Sequence, residues 1–166
     1  MNTEKGFTLI EVLLYLAIVG IIIQGFITFI LSITDINSKT YVTQEVQANT
    51  RMILGLISQK IRAADDILTP SEGNSTSTLI LDMPNPDPDL TFSITDGVLG
   101  MAEGAASSTP ITSNKVNISN LTFTNLATAG EKDNIRIEIT AIDFKMGESK
   151  EFQYSQTLQT SVSLRK

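Results

Sequence analysis

The sequence predicts an α+β fold. One long N-terminal α-helix, with a transmembrane half and an amphipathic half, packs on a C-terminal antiparallel β-sheet head. Three observations carry this reading. Residues 7–33 form an apolar run holding one acid, Glu11, and no basic residue. Residues 36–68 contain no proline and repeat apolar side chains at helical spacing. Beyond residue 76 the period of that repeat falls from 3.6 to 2. The chain then divides into a short polar segment (1–6), a spanning helix (7–33), its amphipathic continuation (34–68) and a head (69–166).

A helix over 7–33 rises roughly 40 Å at ~1.5 Å per residue, more than the ~30 Å of a bilayer's hydrocarbon core. In lipid a single segment must satisfy its own backbone, so the helix is the form expected. Glu11 is the exception in the run. A carboxylate deep in a span costs on the order of 3 kcal/mol on insertion scales. It can snorkel to the headgroups from its place near the start of the run, or it can pair with a cation. No Lys or Arg lies between Phe7 and Lys39. A new amino terminus at Phe7 would supply the charge. Further along, Gly20 and Gly25 lower helix propensity, with Gln24 and Thr28 nearby. They fit small-residue packing between helices, or a segment that loosens.

A secretory signal peptide would have an apolar region of ~7–15 residues and a small-residue cleavage site. This run is longer, and residues 31–35 offer no such site. An ordinary single-span anchor remains open, with only Lys5 and the starting amine before the span.

In the continuation, Val42, Val46, Ile53, Ile57, Ile61, Ala64 and Leu68 fall on one helical face. Met52 and Leu56 widen it, while Gln44, Glu45, Gln47, Asn49, Gln59 and Arg62 lie opposite. The expectation is that the stripe buries itself on the head. Gly55 costs about 1 kcal/mol against alanine, which a close backbone contact would offset.

Residues 69–76 read as a breaker and loop. Strands are expected over 78–83 and 90–95, separated by Pro84, Pro86 and Pro88 alternating with Asn85, Asp87 and Asp89. Asp96-Gly97 favours a type I′ hairpin that sets Ile94 opposite Leu99 and Phe92 opposite Met101. Residues 103–109 read as loop and 110–114 as irregular. Residues 116–126 form a strand whose phase changes between Ile118 and Leu121, which predicts a bulge or turn. Another loop covers 127–133. Ile135, Ile137 and Ile139 alternate with polar residues. Phe152, Tyr154, Leu158, Val162 and Leu164 keep the same period, and 145–150 joins these two strands as a hairpin. The sum is a sheet of about six strands.

The 166 residues carry a net charge of −6, with no cysteine and no histidine. This excludes a disulfide framework and thiolate chemistry, and removes the commonest metal ligand and general base. An acidic chain without a basic cluster argues against nucleic-acid binding. No nucleophile elbow, phosphate loop, dinucleotide fingerprint or zinc spacing occurs, so neither an enzymatic activity nor a cofactor is expected. Asp82, Asp87 and Asp89 carry oxygen ligands suited to calcium, but lack the spacing of a calcium loop and fit a solvated Pro-Asp connection. Asp65-Asp66 at the helix end opposes the dipole, and pairs with Arg62 or caps the next turn.

Gly6-Phe7-Thr8-Leu9-Ile10-Glu11 closely resembles the cleavage and methylation motif of type IV prepilins and pseudopilins. The match includes the glycine before the cut, the phenylalanine after it and the glutamate at the fifth mature position. Lys5 fits the short basic leader, and Glu4 dilutes its charge. Residues 42–64, with Glu45, Arg51, Ile61-Arg62 and Ala64, and the last strand, with Gln156-Thr157 and residues 161–165, more loosely resemble minor pilins of the J and W type. Thr28 stands where many major pilins carry proline.

The resemblance implies a type IV pilin-like fold and a structural role. It makes 1–6 a leader cut by prepilin peptidase between Gly6 and Phe7, with N-methylation of Phe7 by the same class of enzyme. Glu11 then pairs with the terminal amine of a neighbouring subunit, since opposite charges attract strongly in a low-dielectric bundle. The implied partners are that peptidase and methyltransferase, other pilins or pseudopilins, an inner-membrane assembly platform and membrane lipid. The implied location is the cytoplasmic membrane, then an extracytoplasmic filament. A minor subunit, a major subunit, and a membrane-tethered binding domain unrelated to filaments are the readings to separate.

Overall fold

The structure is a computed structural model that describes residues 6, 8–113, 115–128, 133–143 and 154–165. Among the described residues one long helix, α1 (Leu9–Ala63), is followed by nine strands. These are β1 (Asp66–Thr69), β2 (Ser75–Thr76), β3 (Leu79–Asp82), β4 (Leu90–Thr95), β5 (Val98–Glu103), β6 (Thr109–Pro110), β7 (Val116–Asn125), β8 (Asn134–Asp143) and β9 (Ser155–Ser163). The chain divides into two compact units, residues 1–40 and 41–166. In the first, α1 is apolar over Leu9–Thr34, a stretch long enough to cross a membrane. Hydroxyls in this stretch fold back onto the preceding turn. Thr28 Oγ1 and Ser32 Oγ donate to the carbonyls of Gln24 and Thr28, each at 3.0 Å.

The second unit is the α+β head. Its strands form two antiparallel sheets, in the orders β1-β3-β4-β5-β6 and β2-β7-β8-β9. The expected sheet of about six strands is therefore two sheets. The strands that escaped the sequence reading are β1, β2 and β6, which are two to four residues long and take their conformation from the strand beside them. The helical stripe is buried as expected at Val46, Ile53, Ile57 and Ile61. These side chains join Leu79, Leu81, Phe92 and Leu99 of one sheet and Phe123, Ile135, Ile137 and Ile139 of the other in one core. At roughly 1.5–3 kcal/mol for each large aliphatic side chain removed from water, this cluster is the main favourable term for the head.

The stripe departs from expectation in several places. Asn49 is not on the open face: it is 8 % exposed, and its Nδ2 donates to the Glu45 carbonyl at 3.0 Å. The helix ends at Ala63, short of 68, because Asp65 N–H donates to the Asp82 carbonyl at 2.9 Å and the chain then pairs with β3. Asp65 and Asp66 would in any case sit at the unfavourable end of the helix dipole. Leu68 consequently lies in a strand, where alternation turns it outward and Ile67 inward. Met52 is 53 % exposed and does not widen the buried face, while Leu56 is half-buried. Among the described residues a Cβ at Gly55 would meet nothing within 4 Å, so no contact with them explains that glycine.

The β4–β5 hairpin has the expected register, Ile94 opposite Leu99 and Phe92 opposite Met101. Asp96 and Gly97 have φ of 52° and 77°, the two positive values a type I′ turn requires. The phase change in β7 is a bulge between Ile118 and Asn120, where Ser119 is the extra residue opposite β8. It switches the inward positions from Val116 and Ile118 to Leu121, Phe123 and Asn125. The turn and the bulge meet, because Ile118 N–H donates to the Gly97 carbonyl at 2.8 Å. β8 and β9 pair without interruption from Asn134–Ser163 to Ile142–Ser155. The expected 145–150 hairpin and Phe152 lie outside the described residues.

Asn125, at the end of β7, is the polar pin of the head. It is 1 % exposed. Its Nδ2 donates to the Pro70 carbonyl at 3.1 Å and to Asp133 Oδ1 at 2.8 Å, and its Oδ1 accepts from the Ala127 N–H at 3.0 Å. Its backbone exchanges hydrogen bonds with Gly73 and Asn74. One side chain thus ties the loop after β1 to the end of β7 and the start of β8.

Candidate functional site

The sequence points to the N-terminal turn of α1. Gly6 is exposed, and a Cβ there would meet nothing within 4 Å among the described residues. Phe7 lies outside the described residues. Thr8 precedes the first helical residue and acts as the N-cap. Its carbonyl accepts the Glu11 and Val12 N–H groups at 3.1 and 3.2 Å, and its hydroxyl lies 3.4 Å from the Glu11 nitrogen. The spacing Thr-x-x-Glu is that of a capping box, with the acid at the third helical position. This signal was readable in the sequence but was absorbed into the motif reading. It gives the carboxylate a local reason to stand there, because a negative charge in the first turn is favoured by the helix dipole.

Glu11 is half-buried where its neighbours on α1 are exposed. One turn on, the Tyr15 hydroxyl donates to Glu11 Oε1 at 3.4 Å. An ionised carboxylate offers about four acceptor positions, and among the described residues the Tyr15 hydroxyl fills one of them. Sequence reading missed Tyr15 as a companion of Glu11. The i, i+4 spacing on a helix was the available signal. Chemically, the turn presents an exposed Gly6 followed by an acid beside a phenol. That arrangement suits recognition and charge pairing.

Other singled-out residues do not converge on this turn. Among the described residues no group of three or more His, Cys, Asp or Glu is placed to hold a metal ion. Asp66 Oδ1 accepts the Ile67 N–H at 2.9 Å, which gives it a local capping role at the start of β1. One polar contact was not foreseen. Lys115 Nζ donates to Tyr41 Oη at 2.7 Å and lies 5.2 Å from the centre of that ring. This hydrogen bond, and then the charges of Tyr41 and Glu45, raise the Lys115 pKa above its ordinary 10.5.

No curated protein and no solved structure matches the chain. Residues 1–23 match the family described as the prokaryotic N-terminal methylation motif. That match covers the Thr8 cap, Glu11 and Tyr15, and supports a type IV pilin- or pseudopilin-type protein with a structural role.

Proposed function

We propose that the chain is a minor pilin or pseudopilin, a structural subunit of a type IV pilus, type II secretion or DNA-uptake filament that acts in filament initiation or at the tip. Prepilin peptidase removes 1–6 by cutting between Gly6 and Phe7, and the Phe7 amine is methylated. The mature helix then leaves the lipid and packs against those of other pilins at an inner-membrane assembly platform. There the Glu11 carboxylate guides register by pairing with a neighbour's terminal amine. The subunit ends in an extracytoplasmic filament.

The observation that carries this reading is the run Gly6-Phe7-Thr8-Leu9-Ile10-Glu11 at the mouth of an apolar helix, inside the matched methylation motif. Two opposite charges in a low-dielectric bundle attract strongly, and either alone is costly there. The test is N-terminal peptide mass spectrometry on protein from its host membrane. A peptide beginning at methylated Phe7 supports the reading. A peptide still carrying residues 1–6 in the presence of active peptidase refutes it and favours a plain membrane anchor. Gly6→Val should leave the leader attached, and normal processing of that variant at the same bond would remove the site assignment. Abundance in sheared filaments separates a minor from a major subunit.

A further inference from the structure

Gln24 is an amide near the middle of the span Leu9–Thr34. About 15 Å of helix separate it from Thr34, so its side chain cannot reach water from a centred span. The neighbouring hydroxyls of Thr28 and Ser32 are satisfied on their own helix. The Gln24 side chain is exposed on α1, and among the described residues it has no side-chain hydrogen-bond partner. A polar group left unpaired in hydrocarbon is costly, and such residues find partners on another helix.

The surroundings of Gln24 say what that partner is. Leu13, Ala17, Gly20, Gln24, Ile27 and Leu31 follow one another in alternating steps of four and three. That spacing draws a single seam along a helix, the pattern of a left-handed two-helix contact. Ala17 and Gly20 are small enough to let two backbones approach. The seam holds no charge, and Glu11 lies about 140° around the helix from Gln24 at ~100° per residue. An amide carries both donors and an acceptor, so two of them facing each other satisfy one another. A second copy inserted by the same route presents its Gln24 at the same depth, which an unrelated helix does only by coincidence. A single amide in such a seam also fixes register.

We propose that two copies of this chain pair in parallel in the membrane, joined amide to amide at Gln24. The pairing rests on the membrane-spanning role of α1 and not on filament assembly. It gives the protein a side-by-side state that uses a different helix face from Glu11.

The chain has no cysteine, so single cysteines report the pairing directly. The full-length protein would be placed in membranes of cells lacking prepilin peptidase, where no filament assembles. Oxidation should form disulfide dimers from Leu13→Cys and from Leu31→Cys, which lie on the seam. It should not do so from Ile22→Cys or Phe29→Cys, on the far side. In the Leu31→Cys background, Gln24→Leu should weaken pairing about tenfold, which is about 1.4 kcal/mol and within the range of interhelical hydrogen bonds in lipid. Gln24→Asn should restore most of it. Equal cross-linking at all four positions, a maximum at 22 and 29, or indifference to Gln24→Leu would overturn the proposal. So would capture of a different protein by Leu31→Cys. Recovery of the chain in the soluble fraction would overturn the span itself, and the proposal with it.

Discussion

Replacing Asn125 by alanine removes three side-chain hydrogen bonds from the interior of the head, and its cost can be estimated from their surroundings. A neutral hydrogen bond contributes about 1 kcal/mol net, and one to an ionised group about 1.5–3 kcal/mol. Asp133 is only half-buried and regains water, so its loss is the smaller part. Pro70 is buried and Ala127 is 6 % exposed, so a carbonyl and an N–H are stranded unless water enters the small space left behind. Stranded groups cost about 1–3 kcal/mol each. The sum, reduced for partial hydration, is about 3 kcal/mol, large for a single substitution. Pulse proteolysis of the detergent-solubilised chain across a urea series reads the unfolding midpoint. With a slope of about 1.5 kcal/mol per molar, the midpoint should fall by about 2 M. Asn125→Asp keeps the acceptor for Ala127 but sets a second carboxylate against Asp133, so it should be destabilising by more at pH 7 than at pH 4. A midpoint within about 0.3 M of the parent for Asn125→Ala would refute the argument. It would mean that water replaces all three bonds without loss.

Other outcomes follow from the same structure. Glu11→Ala should still be cleaved after Gly6 but fail to enter filaments, and normal incorporation measured in sheared fractions would rule against its role in assembly. Gly97→Ala should destabilise the head by about 1–3 kcal/mol, because φ is 77° there and a Cβ would overlap the Asn117 side chain; a urea midpoint equal to the parent's would count against the turn. Lys115 is charged more readily in the folded head than in the unfolded chain. Whatever its contact with Tyr41 contributes is therefore complete below pH 10.5 and is lost as pH rises through the raised folded value. An NMR titration should show the Lys115 ammonium losing its proton at higher pH in the parent than in Tyr41→Phe, and identical titrations in the two proteins would dismiss the contact.

What the sequence made legible was local. The I′ turn needs two residues of positive φ, and Asp96-Gly97 states that need in adjacent letters. The Ser119 bulge is written as a parity change, and the buried stripe of α1 as a 3.6 period. The end of the helix was less clear, since Ala64 and Leu68 continue the helical spacing while the partner that draws Asp66–Thr69 into β1 lies in β3. The strands β2 and β6 are too short to carry a period at all. Asn125 could not be singled out, because one of its partners is the Pro70 carbonyl, 55 residues away in the chain. At the N-terminus the motif was plain, while the Thr8 cap and the Tyr15 companion were hidden by it.

The folded-back hydroxyls of α1 have a consequence for a helix that changes surroundings. Thr28, Ser32 and Thr34 each find an acceptor one turn back on the same helix. Each polar group therefore travels with its own acceptor. Lipid, detergent and protein neighbours meet nearly the same surface, and none must supply a missing bond to these residues. Circular dichroism of this segment should accordingly be indifferent to the medium. The medium can still act on the Gln24 amide and the Glu11 carboxylate, so a helix of largely self-contained polarity concentrates its choice of neighbour in two side chains.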